Sequence, residues 1–326
     1  MAPPAPPPDA IPLDTVRRTF TALTGEHADD VAALPPGYGH LSWQVATGTG
    51  RYLIKTAIRN AGVTALFRQV TAQQAAATGG VSTPLVVAAS ATGGPLKRPC
   101  YVQTWIDGID AATALQQTPV DAAALGSAFG RTVAGLHRIR GPRVADDCAA
   151  TTSYPTWRHA CTARLDRMIR SNREAAVLSE EILRPVADRL TAMIGALPDD
   201  IGPRLIHRDL YLPNVLLTGP VGDTPQVALL DWESAAFGDP VWDFVKLTMW
   251  VFDRHPLLHL PFLEGYTATA PLPGDFERRL LTYQGIEYLA AFPYFGRRWP
   301  DAAMLEGFRK LLAAWMDSAG LDGARP

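Results

Sequence analysis

Little in this sequence points to metal–thiolate chemistry, a membrane or a nucleic acid. Among its 326 residues there are three cysteines, Cys100, Cys148 and Cys161. They are odd in number and far apart, with no Cys-x-x-Cys and no clustered histidines, so a zinc site is not expected; buried or inert thiols in a reducing cytoplasm are. No window approaches eighteen uninterrupted apolar residues, which leaves no candidate membrane span. No run of lysine or arginine is present, and the formal net charge is −2, so nucleic acid has no electrostatic footprint to meet. The opening stretch, MAPPAPPPDA, has no basic residue and no apolar centre, unlike a secretory signal. Five of its first eight residues are proline, so residues 1–12 read as a disordered, extended tail. The expected location is the cytoplasm.

What is present is the composition of an ordinary soluble enzyme, 47% hydrophobic and 19% charged. The length suggests two lobes, because single cores stop growing at around 250–300 residues. LDTVRRTFTAL has helical spacing with Asp14 at its start. Leu41, Trp43 and Val45 alternate, a glycine-bearing turn follows at 47–50, and Tyr52, Ile54 and Thr56 alternate again; this predicts a β-hairpin with a second glycine turn, Gly37-Tyr38-Gly39, at its entrance. Residues 62–78 read as a helix, and VSTPLVVAA and PCYVQTWI as strands. Beyond WIDGID the pattern changes to long helical segments at 120–139, 155–171 and 174–196, and the last ninety residues or so are mainly helical. No internal repeat is evident. The expected fold class is therefore α+β, with a small β-rich N-lobe over residues 13–106, a hinge near 103–108 and a larger, mainly helical C-lobe over 109–326.

The densest chemistry lies in RLIHRDLYLPNVLLTGPVGDTPQVALLDWE. RLI reads as a short strand entering a loop, and VLL and QVALL as two strands joined by a Gly- and Pro-containing turn. In a hairpin, the residue before the first strand and the residue after the second lie at the same end. Here those residues are Asn214 and Asp231, and the preceding loop brings Asp209 beside them. Three oxygen-bearing side chains suit a hard cation, Mg²⁺ above all, and no sulfur or imidazole set competes for a softer metal. Magnesium held by few protein ligands usually completes its shell with substrate phosphates, so the reaction class implied is phosphoryl transfer from a nucleotide. The plainer alternative is that His207, Asp209 and Asn214 cap turns.

The spacing His207-x-Asp209-x-x-x-x-Asn214, followed by Asp231, resembles the signature of the protein-kinase-like fold. The form LLDWE…GDPVWDF resembles the aminoglycoside phosphotransferase family, whose members are antibiotic and small-molecule kinases. That resemblance implies that Asp209 is the catalytic base toward a substrate hydroxyl and that Asn214 and Asp231 hold Mg²⁺ on the nucleotide phosphates. Asp239 and Asp243 match acidic positions assigned to the framework of the helical lobe. The chain departs from the family in having Arg208 between the histidine and the aspartate. It departs from protein kinases in having Tyr211 where they place a lysine.

The same resemblance puts GYGHLSWQV at the phosphate-covering turn, with the backbone of Gly39 and Ser42 and the Ser42 hydroxyl against phosphate. Lys55, which ends the strand RYLIK, would pair with the α- and β-phosphates. The usual partner of that lysine is a glutamate on the next helix, yet no glutamate occurs between Glu26 and Glu174. Gln69, Gln73 and Gln74 stand there as uncharged acceptors. YVQTWIDG resembles the connector between lobes: Gln103 would flank the base, the backbones of Thr104 and Ile106 would bond its edge, and Trp105 reads as a packed interlobe aromatic. ATP and GTP are equally compatible.

The acceptor must approach Asp209 from the C-lobe, whose aromatics, from Trp232 to Trp299, are expected mostly in the core. From Asp231 onward there are thirteen Asp and Glu against nine Lys and Arg, a net of −4. Such a lobe would favour a cationic substrate, although Asp231, Asp239 and Asp243 consume part of the excess. Glu233 is expected to support the metal shell or to touch the acceptor. The expectation is an ATP- or GTP-dependent O-phosphotransferase acting on an aminoglycoside or another natural-product antibiotic. The alternatives are a metabolic kinase of the same fold, acting on a sugar, choline-like alcohol or homoserine, and a nucleotide-binding pseudokinase.

Overall fold

The structure, a computed structural model, describes residues 11–35, 40–57, 62–117, 120–149, 151–219 and 225–321. The proline-rich start of the tail and the Gly37-Tyr38-Gly39 turn lie outside the described residues.

The N-terminal part is a five-stranded antiparallel sheet between two helices. Helix α1 (Leu13–Thr24) buries Val16, Thr19 and Phe20, three and four residues apart. Pro12 rather than Asp14 stands at its N-cap; Asp14 is within the first turn, paired with Arg18 at 2.9 Å. Strands β1 (Asp30–Ala33), β2 (His40–Thr47) and β3 (Gly50–Ala57) precede α2 (Gly62–Thr78), and β4 (Val86–Ser90) and β5 (Cys100–Thr104) follow it. The spatial order is β1-β2-β3-β5-β4. The strand expected over 81–89 is shorter than its apolar run because Pro84 has no N–H to give a ladder.

The C-terminal part is mainly helical. Strand β6 (Ile109–Asp110) leads into α3 (Ala111–Gln117) and α4 (Ala122–His137), which Asp121 caps by accepting from the amides of Ala123 and Ala124. Then come β7 (Val144–Ala145), β8 (Ser153–Tyr154), α5 (Trp157–Ala175), α6 (Glu180–Gly195), β9 (Arg204–Ile206), β10 (Val215–Thr218), β11 (Gln226–Leu229) and β12 (Ala236–Gly238). The two helices expected at 155–171 and 174–196 are separated further than predicted: α5 runs on to Ala175, and Ala176, at φ +52°, turns the chain out of it. After β12 come α7 (Asp243–Lys246), which continues as a π-helical segment (Leu247–Phe252), α8 (His259–Thr267), α9 (Phe276–Pro293) with a second π segment (Tyr294–Arg298), and α10 (Ala302–Ser318). Strand β10 lies between β11 and β6, and β12 between β9 and β7, all antiparallel.

Most C-lobe aromatics are core, among them Trp232, Trp242, Phe262, Tyr283 and Phe292. Helices α4 and α8 come unusually close. A Cβ on Gly130 would sit 2.0 Å from the Phe262 carbonyl oxygen, and one on Gly265 would sit 2.2 Å from that of Ser127. Only glycine permits that approach. All three cysteines are unpaired and buried, and burial pushes the Cys100 thiol up to about 11 and Cys148 to about 12. Among the described residues no helix is long and apolar enough to cross a membrane.

Candidate active site

The N-lobe half of the site follows from the two-residue period of the sheet. Trp43, Ile54 and Val102 share a register row and pack with Val16 and Phe20 of α1. The next row, Ser42, Lys55 and Tyr101, therefore faces the other way; Tyr101 packs with Leu66 and Val70 of α2. Lys55 reaches across the lobes, its Nζ 3.5 Å from Asp231 Oδ1, with 12% of the side chain exposed. Burial opposes the charge on Lys55, but Tyr101, Asp231 and Glu233 outweigh it and hold its pKa above the usual lysine value. Burial also opposes ionisation of Asp231, yet the Lys55 charge above all keeps that carboxyl below its ordinary value.

The glutamines of α2 do not act as acceptors for Lys55, contrary to the sequence-based expectation. Gln69 Nε2 donates to Asp231 Oδ1 at 3.2 Å, while Gln73 Nε2 donates to the Pro84 carbonyl at 2.6 Å and to Gln103 Oε1 at 2.9 Å. Gln74 is exposed. Thus Gln103 is buried behind the hinge strand and fixed by α2. The Thr104 amide donates to the Leu85 carbonyl at 2.9 Å, which restricts any base contact at this residue to its carbonyl. Ile106 is half-buried in the connector. Trp105 is also half-buried and not part of the interlobe core expected for it. Its indole N–H donates to Asp107 at 3.2 Å, and the Arg51 guanidinium lies 5.9 Å from its ring centre. Gly39 lies outside the described residues; Ser42 is register-paired with Lys55.

The C-lobe half is built around Asp243. Its Oδ2 accepts from the His207 amide at 2.9 Å and its Oδ1 from the Arg208 amide at 2.6 Å. His137 Nε2 lies 2.9 Å from the same Oδ2, and Tyr266 Oη lies 2.9 Å from His137 Nδ1. Burial works against the charge on Asp243, but the bond from His137 keeps its pKa low. Three helices, α7, α4 and α8, thereby fix the loop that carries Asp209. Two residues of the site hold an unusual backbone state: Arg208 on this loop has φ +61°, and Asp231 beyond β11 has φ +64°. Each such non-glycine conformation costs on the order of 1 kcal/mol or more and persists only where the surroundings impose it. His207 adds a second tie, Nε2 to the Leu230 carbonyl at 2.9 Å, with its ring 4.6 Å from that of Trp232. Because a carbonyl only accepts, the proton is on Nε2. Asp239 is likewise structural, accepting from Tyr283 Oη at 2.6 Å and from the Val241 amide at 3.1 Å.

The hairpin of β10 and β11 brings its two ends together as its register requires: the Leu230 amide donates to the Asn214 carbonyl at 2.9 Å, and Asp231 follows directly. Asn214 Nδ2 donates to Asp209 Oδ2 at 3.1 Å. That turns the Asn214 amide oxygen away from Asp209, and Asp231 Oδ2 is not the oxygen engaged by Lys55 and Gln69. One amide oxygen and one carboxylate oxygen are the donor types Mg²⁺ accepts, with phosphates and water to complete the shell. His40, Asp231 and Glu233 form a further group, with one ligand atom of each lying within 4.8 Å of the others. His40 Nδ1 is 3.6 Å from Glu233 Oε2. Burial, then the Lys55 charge, lowers His40 to about 4, while burial and Asp231 raise Glu233 to about 7. At neutral pH the histidine is therefore uncharged, and the contact is not an ion pair.

Three residues went unnoticed in the sequence. His40 directly follows the glycine turn. Lys246 Nζ lies 2.5 Å from Asp209 Oδ1, so the ammonium missing at position 211 arrives from α7. Its signal was present: Lys246 is the only Lys or Arg between Arg208 and Arg254. Glu287 of α9 pairs with Arg164 of α5 at 2.6 Å, beside Lys246.

A two-lobed fold with this site defines a phosphotransferase, and the chain matches the phosphotransferase enzyme family (APH) over residues 30–281. It belongs to that family. No curated protein matches it. Among solved structures it is similar to a candidate fructosamine-3-kinase from Thermobifida fusca, with 20% identity, coverage of 94% of this chain and 100% of that one, and a TM-score of 0.70. A candidate aminoglycoside phosphotransferase from Ralstonia eutropha is 15% identical, with 94% and 97% covered and a TM-score of 0.69. A thermostable variant of aminoglycoside phosphotransferase APH(4)-Ia, in complex with ADP and hygromycin B, is 14% identical, with 96% and 100% covered and a TM-score of 0.65. These likenesses establish the protein-kinase-like fold.

Proposed function

We propose that this phosphotransferase moves the γ-phosphoryl group of ATP or GTP to a hydroxyl of a small molecule in the cytoplasm, the acceptor being a natural-product antibiotic that phosphorylation inactivates. Asp209 orients the acceptor hydroxyl and takes its proton. Lys55 leaves Asp231 for the α- and β-phosphates, and Ser42, with Gly39, covers them. The Thr104 carbonyl and the Ile106 backbone meet the base. Asn214 and Asp231 would hold Mg²⁺, which would neutralise phosphate charge. Most of the rate enhancement then comes from positioning and electrostatics.

The observation that carries this reading is the juxtaposition of Lys55 of the N-lobe with Asp231 at the hairpin end that also presents Asn214 and, through it, Asp209. The test is incubation of the enzyme with Mg²⁺ and either nucleotide against a panel of antibiotics and small alcohols, read by mass spectrometry for one added phosphate. A phosphorylated antibiotic, together with higher drug tolerance in a sensitive host expressing the chain, supports it. Absence of transfer to every acceptor and to water would refute it. A metabolic kinase is the second reading. It is favoured by the fructosamine-3-kinase likeness and by the pairing of Asp209 and Glu287 with cations.

A further inference from the structure

Two departures from the expected pattern, Arg208 and the absence of a helix glutamate, meet at a pair of adjacent aspartates. Asp146 and Asp147 directly follow β7, and the Asp146 amide donates to the Thr152 carbonyl at 3.2 Å. Asp146 serves the C-lobe. Its Oδ2 accepts from Arg167 Nη2 at 2.6 Å and from Tyr154 Oη at 2.8 Å. Its carbonyl accepts from Arg208 Nη2 at 3.4 Å, while Arg208 Nε donates to the Ser234 carbonyl at 2.7 Å. The residue before Asp209 is thus tied both to this turn and to the chain just beyond Asp231.

Asp147 serves the N-lobe instead. Its side chain is only 4% exposed, and its Oδ2 lies 3.1 Å from Arg68 Nε of α2. That nitrogen makes no aligned hydrogen bond, so the contact is ionic, and Thr151 supplies the directional link. The Thr151 hydroxyl donates to Asp147 Oδ2 at 2.6 Å and accepts from Arg68 Nη2 at 2.9 Å, and its amide donates to Asp147 Oδ1 at 3.3 Å. A fully exposed ion pair contributes little. Here one partner is buried, and loss of Arg68 would leave a buried carboxylate without its cation.

Arg68 immediately precedes Gln69, whose Nε2 donates to Asp231 Oδ1 at 3.2 Å. Elsewhere α2 is held by apolar contacts: Leu66 and Val70 pack with Tyr101 of the sheet, and Ala72 and Ala76 pack into the C-lobe core. Apolar burial is non-directional. Arg68 and Gln69 add polar ties to the C-lobe at neighbouring positions of the helix.

We infer that Arg68 and Asp147 are positioning residues for the nucleotide half of the site: their ion pair holds α2 where Gln69 reaches Asp231, and so replaces the tie that a helix glutamate would make. This rests on the reading of Asp231 as a residue that holds the metal of the nucleotide. The two aspartates join the halves of the site, Asp146 steadying the loop of Asp209 and Asp147 the helix that steadies Asp231.

The test is calorimetric titration of the full chain with Mg²⁺–ADP, with thermal melts of the same samples. Arg68→Ala should weaken ADP binding by about threefold or more. Thr151→Val removes the bridging hydroxyl and leaves both charges in place, and should weaken binding by about twofold. In a Gln69→Ala background, Arg68→Ala should change the affinity by less than about 1.5-fold, because residues that act through one contact are not additive. Should Arg68→Ala fail to fold, Thr151→Val carries the test in both backgrounds. An unmoved ADP affinity overturns the inference, as does the same loss with and without Gln69. A lowered melting temperature with unmoved affinity would mark the ion pair as stabilising only, and overturns it too. Absence of ADP binding by the parent protein would instead refute the kinase reading beneath it.

Discussion

Gln69 Nε2 and Lys55 Nζ converge on one oxygen, Asp231 Oδ1, at 3.2 and 3.5 Å. An uncharged side chain thus occupies the place on α2 where the resemblance calls for a glutamate, and it serves the aspartate rather than the lysine. Gln69→Ala removes one donor from a half-buried carboxylate. A net hydrogen bond is worth about 1 kcal/mol, so KM for the nucleotide should rise roughly fivefold in steady-state kinetics. Gln69→Glu sets a second carboxylate against Asp231 and should lower the melting temperature at neutral pH; an unchanged melting curve would show that the new side chain turns away.

Asp209→Asn keeps the shape of the loop but removes the carboxylate proposed to take the proton of the acceptor hydroxyl. Turnover should fall by about 10²–10⁴. Calorimetry should find ADP affinity within about threefold of the parent protein. If affinity collapsed while turnover survived, the roles assigned to Asp209 and to the metal pair would have to be exchanged.

Asp243→Asn tests the framework. One amide oxygen cannot serve the His207 and Arg208 amides and His137 together, and its NH₂ would point a donor at a donor. Breaking a buried network of this kind costs about 3–5 kcal/mol. Both a markedly lower melting temperature and a drop in kcat at temperatures where the protein is folded are expected. A fall in stability without a fall in kcat would separate the loop from this anchor.

His40 and Glu233 set opposing pH dependences on stability. His40 has its folded pKa lowered to about 4, so the unfolded chain binds the proton more readily between pH 6.5 and 4, and stability is lost as pH falls through that window. The shift corresponds to ~3 kcal/mol at most. Glu233 is raised to about 7, so stability is lost as pH rises from 4.5 toward 7. Thermal melts across pH 4–8 should show His40→Gln gaining on the parent protein toward pH 4, and Glu233→Gln gaining toward pH 7. Parallel curves for parent and variants would rule out both shifts.

Much of the fold was legible where a period runs long enough to be read. Leu41, Trp43, Val45 and Ile54 alternate over whole strands, and α4, α5 and α6 repeat over several turns. Strand β1 buries only Val31, and β6, β7, β8 and β12 have two or three residues each, too few to carry a period. In the site, the meeting of Asn214 with Asp231 could be deduced because a hairpin returns its ends to one place. The approach of Lys246 to Asp209 could not, since it depends on how α7 docks against a loop more than thirty residues earlier. A lone lysine in an apolar helix reads as a snorkelling side chain. The same limit hid Glu287 and Arg164, which are brought together only by the packing of α5 on α9.

The close seam between α4 and α8 bears on mutational tolerance. His137 leaves α4 and Tyr266 leaves α8, and their contact supports Asp243 and hence the loop that carries Asp209. Gly130 touches no reacting group, yet a single methyl there would strike the Phe262 backbone and pry the two helices apart. In a saturation screen scored for activity, Gly130 and Gly265 should accept no more substitutions than Asp209 does. Their intolerance should extend to alanine, the mildest replacement, which Asp209 shares only for chemical reasons. A map of forbidden positions in this protein would thus mark two sites of different kinds, one defined by what a side chain does and the other by there being none.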